Sequence, residues 1–198
     1  MINTIENEVE FLEKLKHGDR EAFANLVEMT SDRIYRLALK MVANEQDAED
    51  ILQDTYIKAF RSLAGFEGKS SISTWLYRIA VNEALMMLRK KQPQFVPIGE
   101  ESDDDNPDNL PQPVEIVDWC CLPEHELMSE ETGSHLDEAI KKLSSLNRAV
   151  FLLRDVAGLS TKEAADVLET NESNIKTRLF RARMQLREEL SAYFAENG

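Results

Sequence analysis

The chain has 198 residues, 42% of them hydrophobic, and sets 37 acids against 23 Lys and Arg for a formal net charge of −14 at pH 7. That length allows one large domain or two small ones with real cores, and no apolar run reaches the roughly 20 residues of a membrane-spanning helix. The acidic stretch over residues 1–13 lacks the basic region and apolar run of a secretion signal, and the two cysteines, adjacent at Cys120 and Cys121, cannot build a disulfide framework, so a cytoplasmic protein with no membrane insertion is expected.

Charge is unevenly divided. Residues 92–128 hold ten acids, no Lys or Arg, and all six prolines. Such a composition cannot bury enough apolar surface to order itself. It predicts a flexible acidic linker (92–128) between two small helical domains, 1–91 and 129–198, in an all-α protein. Fully extended, the linker would reach roughly 120 Å, and as a coil about 30–40 Å.

In the first domain, Asp19 is placed to cap a helix from Arg20 to about Val42, with Phe23, Leu26, Val27, Ile34, Leu37, Ala38 and Met41 on its inner side. Asn44 caps the next helix, to about Leu63, with Asp47 set for the reciprocal contact. Its inward arc is Ala48, Ile51, Leu52, Thr55, Tyr56, Ala59, Phe60 and Leu63. On the polar face Ile57 sits among Asp50, Gln53, Asp54 and Arg61. An apolar side chain with a charged rim is the pattern of a docking spot; an isolated exposed Ile is the competing reading.

Residues 64–71 read as loop, and Ser73 or Thr74 opens a helix to about Lys91. Trp75 and Tyr77, two positions apart, cannot both face one core line, so at least one should lie near the surface. Together with Phe66 in the loop, and with Lys69 and Arg78 close by, the rings suit unstacked nucleic-acid bases; ordinary core packing is the alternative.

Near the C-terminus, Ser160-Thr161-Lys162-Glu163 is a capping box that starts a short helix from about Thr161 to Leu168. Glu169-Thr170-Asn171 makes a turn, with Asn171 as N-cap of the following helix, and Ala164 and Ala165 allow the two helices to cross closely. In that second helix Ile175, Leu179, Ala182, Leu186 and Leu190 share the packing face. Ser173, Thr177, Phe180 and Met184 lie opposite, flanked by Lys176, Arg178, Arg181, Arg183 and Arg187. Residues 173–187 contain five cations and no acid. The pattern is that of a helix-turn-helix whose basic face would read DNA; an ordinary solvated basic face is the competing reading of the charges, which the preceding capped helix and tight turn weaken.

Four motifs in this order resemble the extracytoplasmic-function group of bacterial sigma factors, the sigma-E-like minimal members of the family. They are Gly18-Asp19-Arg20-Glu21-Ala22-Phe23, Asp47-Ala48-Glu49-Asp50-Ile51-Leu52-Gln53-Asp54-Thr55, Thr74-Trp75-Leu76-Tyr77-Arg78-Ile79-Ala80-Val81-Asn82, and Lys176-Thr177-Arg178-Leu179-Phe180-Arg181-Ala182-Arg183. The resemblance implies that Asp47, Asp50, Gln53, Asp54, Ile57 and Arg61 bind the beta-prime clamp of RNA polymerase core, and that the second domain meets the beta flap. It implies that Phe66, Lys69, Ser70, Ser71, Trp75, Tyr77 and Asn82 capture a flipped base of the minus-ten element on the single-stranded non-template strand. It further implies that the minus-thirty-five element is read as duplex, with Lys176, Thr177 and Phe180 near bases, with Arg178, Arg181 and Arg183 on phosphates or supporting the fold, and with Ser173 and Asn174 at the helix start. At those two positions the family commonly has Gly and Thr. A cognate anti-sigma factor is the expected inhibitor.

Cys120-Cys121 with His125 offers neither ligand spacing nor a fourth ligand for a metal, and Asp118 and Glu124 oppose thiolate formation. Trp119 is expected to pin the linker to a protein surface. There is no phosphate-binding glycine loop and no nucleophile beside a base, so no catalytic residue, metal or cofactor is expected. A dimeric helix-turn-helix repressor or activator, acting on duplex DNA without polymerase, is the alternative function.

Overall fold

The computed structural model describes residues 10–91 and 130–197, and side chains over 10–91 and 133–191. The linker, with Cys120, Cys121, His125 and Trp119, lies outside the described residues. The regular structure among them is helical, without a strand, and they fall into two compact units, one built from residues within Met1–Arg89 together with Asp166–Glu169 and the other from residues within Lys90–Ala165 and Thr170–Gly198. Each is taken by itself.

The N-terminal unit holds α1 (residues 10–16), α2 (Arg20–Val42), α3 (Glu45–Ser62), a single 3-10 turn (Leu63–Gly65) and α4 (Ile72–Lys91). The Asp19 carboxylate accepts from the backbone N–H groups of Glu21 and Ala22, starting α2, and the Asn44 side chain accepts from Asp47 N–H, starting α3. Between these two helices Ala43 takes a left-handed φ of 53° and donates to the Leu39 carbonyl, closing α2. Leu15, Leu26, Ile34, Met41, Ile51, Leu76 and Val81 are almost fully enclosed, and burying each Leu or Ile side chain stabilises by about 1.5–3 kcal/mol. A Lys58–Glu83 ion pair of 2.5 Å joins α3 to α4.

Two expectations need correction. Phe60, read as core, is 47% exposed; its ring lies edge-on to Phe23 at 5.0 Å and leaves its outer side in solvent. The cap of α4 is Ser71, not Ser73 or Thr74. Its hydroxyl accepts from Thr74 N–H at 3.0 Å, so the helix begins one or two residues earlier.

The C-terminal unit holds α5 (Glu130–Lys142), α6 (Ser145–Phe151), α7 (Thr161–Leu168) and α8 (Glu172–Asn197). From α5, Ala139, Ile140 and Leu143 at its end pack on Ala182 and Leu186 of α8, with Leu136 and Phe151 against them. The last turn of α6 widens into a π-turn over Leu152–Val156, where Ala157 N–H reaches the Leu152 carbonyl at 2.8 Å. Gly158, with φ +72°, turns the chain toward α7, a conformation only glycine adopts without strain.

Candidate nucleic-acid and polymerase interfaces

On α3 the carboxylates of Asp50 and Asp54, the Gln53 amide and the Arg61 guanidinium are exposed around Ile57, which is 46% exposed; Asp47 is half-buried near the helix start. Phe60 stands one turn from Ile57 and exposes a similar fraction, so the apolar spot has two side chains. Sequence reasoning missed Phe60 because its position falls at the edge of the buried arc.

The loop after α3 is organised by aromatic contact. Phe66 is only 7% exposed and its ring lies tilted against Trp75, 5.3 Å between centroids, with the Lys16 ammonium 6.0 Å from the Phe66 centroid. Gly68, with φ +73°, lets the loop turn back. Lys69 is exposed and pairs with Glu67. Ser70 is half-buried and donates weakly to the Ser71 carbonyl at 3.4 Å, while the Ser71 hydroxyl is committed to Thr74.

Along α4, Trp75 and Asn82 are both half-buried and share a face, seven residues or about 10 Å apart. Arg78 and Met86, both exposed, lie on this face as well. Arg78 was already named beside the rings; for Met86, its i+4 spacing from Asn82 was the signal that could have found it. Tyr77 does not join this row. It is 7% exposed and faces α2, where burial pushes its phenol pKa up and the nearby Arg33 and Arg36 partly oppose the shift. The structure thus separates the seven residues expected to form one pocket: Trp75 and Asn82 present surface, Phe66 and Tyr77 are enclosed behind it, and Ser71 builds the helix start.

In the second unit the capping box forms in both directions: Glu163 N–H donates to the Ser160 hydroxyl at 3.2 Å, and Ser160 N–H to the Glu163 carboxylate at 2.8 Å. The turn before α8 places Glu169 at φ 53° and Asn171 as N-cap, accepting from Asn174 N–H at 2.7 Å. Ser173 and Lys176 are exposed at the start of α8, and Lys176 has no ion-pair partner among the described residues. Thr177 and Phe180 are half-buried on the same face, and exposed Met184 and Arg187 continue it.

The remaining cations of that stretch are less exposed than Lys176. Arg183 grips Asp155 with two bonds of 2.9 and 2.8 Å, and Arg178 is buried to 9% exposure. Arg181 is half-buried. Asn174 is also turned inward: its amide N–H donates to the Thr170 hydroxyl at 3.1 Å, and its oxygen is buried without a hydrogen-bond partner. It holds the turn and does not face outward with Ser173 and Lys176. Since Arg183 fixes the π-turn to α8, Arg183→Gln is expected to lower thermal stability by about 1–2 kcal/mol, and Asp155→Asn to lower it similarly. A double-mutant cycle by thermal denaturation checks the coupling, and additive losses would refute it.

Comparison with known proteins gives this arrangement a family. Residues 26–94 match Sigma-70 region 2 and residues 135–186 match Sigma-70 region 4. The chain is 34% identical over 90% of its length to the ECF RNA polymerase sigma factor SigW of Bacillus subtilis, covering 94% of that protein. It is 31% identical to the RNA polymerase sigma-H factor of Pseudomonas aeruginosa over 91% of this chain and 92% of that one. Among solved structures, the sigma factor RpoE of Bartonella quintana, determined in complex with the anti-sigma factor NepR, superposes with a TM-score of 0.62 at 26% identity, over 85% of this chain and 96% of that one. The chain belongs to the extracytoplasmic-function family of RNA polymerase sigma factors.

Proposed function

We propose that this protein joins RNA polymerase core as its promoter-specificity subunit and helps melt the promoters it selects. The observation that carries the reading is the presence, in one chain, of two unlike nucleic-acid faces. On α4 the half-buried Trp75 and Asn82 suit an unstacked strand, with a ring to stack a base and an amide to read its edge. On α8 exposed Ser173 and Lys176 with Thr177 and Phe180 form the leading end of a helix sized for the major groove of a duplex. The minus-ten element is thus assigned to residues 1–91 and the minus-thirty-five element to residues 129–198, with 92–128 as the tether. Phe66 and Tyr77 act from behind the surface, and Arg178 and Arg183 shape the unit that presents α8.

Ile57 and Phe60, rimmed by Asp50, Gln53, Asp54 and Arg61, form the site for the beta-prime clamp, and the C-terminal unit engages the beta flap. A cognate anti-sigma factor covers these faces when the protein is silent. The protein works in the cytoplasm beside polymerase, as an initiation factor and not as an enzyme. Run-off transcription with core polymerase, with and without the protein, tests the reading: specific transcripts should depend on its addition. Ile57→Glu should weaken core binding roughly 10- to 100-fold while leaving the helical content unchanged. A protein that binds its DNA tightly alone as a symmetric dimer and adds nothing to core would instead be a repressor or activator.

A further inference from the structure

The helix α1 (residues 10–16) brings a cation to the loop that follows α3. Three backbone bonds close this helix, each of 3.0 Å: His17 N–H donates to the Glu13 carbonyl, Gly18 N–H to the Leu15 carbonyl and Asp19 N–H to the Lys14 carbonyl, with Gly18 at a left-handed φ of 75°. Leu15 is 1% exposed and anchors α1 in the core, while Asp19 caps α2. Lys16 therefore leaves a backbone that is fixed on both sides of it. Lys14 pairs with Glu10 at 2.8 Å, but Lys16 has no ion-pair partner among the described residues. Its ammonium stands over the Phe66 ring, 6.0 Å from the centroid.

Of residues 66–71, Phe66 alone is buried; Glu67, Gly68, Lys69 and Ser71 are exposed and Ser70 is half-buried. The loop thus hangs on one ring, which has no polar group to fix its rotation. Two neighbours bear on its orientation: Trp75, tilted at 52° with centroids 5.3 Å apart, and the Lys16 ammonium. A cation is attracted to the negative face of a ring and repelled by its positive edge, so it opposes any rotation that would turn the edge toward it. Lys16 is exposed, and at such a site the attraction is worth about a two- to fivefold change in an equilibrium, far less than the burial of Leu15 or Phe66. Losing it leaves the fold standing and frees the ring.

We propose that Lys16 is a positioning residue for Trp75: its ammonium holds the Phe66 ring, and the Phe66 ring sets the tilt at which Trp75 presents its face. The role rests on the function proposed above for α4, and Lys16 itself touches neither a base nor a phosphate of the promoter. It adds α1 to the elements that shape the surface around Trp75.

The test pairs two measurements. Trp75 emission is recorded on the full chain in a Trp119→Phe background, and promoter opening is followed with holoenzyme assembled from core and the full chain, through 2-aminopurine at the minus-ten element. Lys16→Met, which keeps most of the stem and removes the charge, should shift the emission before any DNA is added and lower the opening equilibrium about two- to fivefold. Lys16→Arg should restore both. In a Phe66→Leu background Lys16→Met should cost nothing more, because the ring it acts on is gone. A loss that persists there in full and lowers the salt slope of binding by about 0.7 would overturn the role in favour of a direct hold on phosphate. A loss of opening with unchanged emission would overturn it too. Trp75→Ala tells the two layers apart: opening untouched by that change rejects the reading of α4 on which the role rests, whereas opening lowered by it and untouched by Lys16→Met rejects the role alone.

Discussion

Substituting Met for Arg148 is expected to unfold the C-terminal unit at temperatures where the N-terminal unit remains intact. The guanidinium is buried where α5 ends. Its Nε donates to the Ile140 carbonyl at 3.0 Å, and its Nη2 donates to the Leu143 carbonyl at 3.1 Å and to the Lys141 carbonyl. Helices leave their last four carbonyls without intrahelical partners, and here one side chain from α6 serves three near that end. Burial pulls the Arg148 pKa down, but a guanidinium stays protonated regardless, so the site keeps a charge compensated by carbonyl dipoles. Met would fill much of the volume and leave the acceptors buried, each costing about 1–3 kcal/mol. A loss of roughly 3–5 kcal/mol approaches the whole stability of a domain this small. Arg148→Lys should recover only part of it, because a single ammonium cannot span the fork. Hydrogen exchange reads the outcome: amides over residues 139–186 should lose protection while those of α2 and α4 keep theirs. Unchanged protection in the Met variant would show that water or neighbouring groups satisfy the carbonyls.

How far such features can be read from sequence depends on their range. The reciprocal Ser160–Glu163 cap, the Asn171 cap and the ends of α7 were legible because each rests on residues within four positions. The Ile175, Leu179, Ala182, Leu186 face followed equally from helical period. Arg148 carried no such signal: a cation within a short helix reads as surface until α5 is brought against it. Arg183 is similar, because the pattern puts it among the cations of α8, and only the fold brings in Asp155, 28 residues away. At Trp75 and Tyr77 the two-residue spacing correctly required different faces. It could not say which ring would be the buried one, since that depends on α2 packing over Tyr77. Phe66 was assigned to a pocket by resemblance, and its enclosure under Trp75 is a tertiary fact.

Trp75→Ala and Lys176→Ala should impair different steps of initiation. Trp75 is half-buried and its ring is braced by Phe66, so truncation removes the stacking platform while α4 retains its core residues Leu76, Ala80 and Val81. Stacking on a ring contributes about 1–3 kcal/mol per base, so the opening equilibrium should fall roughly 10- to 100-fold, with little change in closed-complex affinity. Because Phe66 sets the tilt of that ring, Phe66→Leu should give a weaker version of the same defect and alter tryptophan emission before any DNA is added. Under the proposed division of labour, Lys176 acts on duplex alone. It is exposed, and its loss should weaken closed-complex formation and lower the salt slope by about 0.9, while the opening rate of complexes already formed stays the same. Footprinting of closed complexes and 2-aminopurine fluorescence at the minus-ten element separate the two steps in one preparation. Should both variants slow opening equally and leave closed binding alike, α4 and α8 could not hold the separate tasks assigned to them, because a face that only stacks a freed base has no hold on paired DNA.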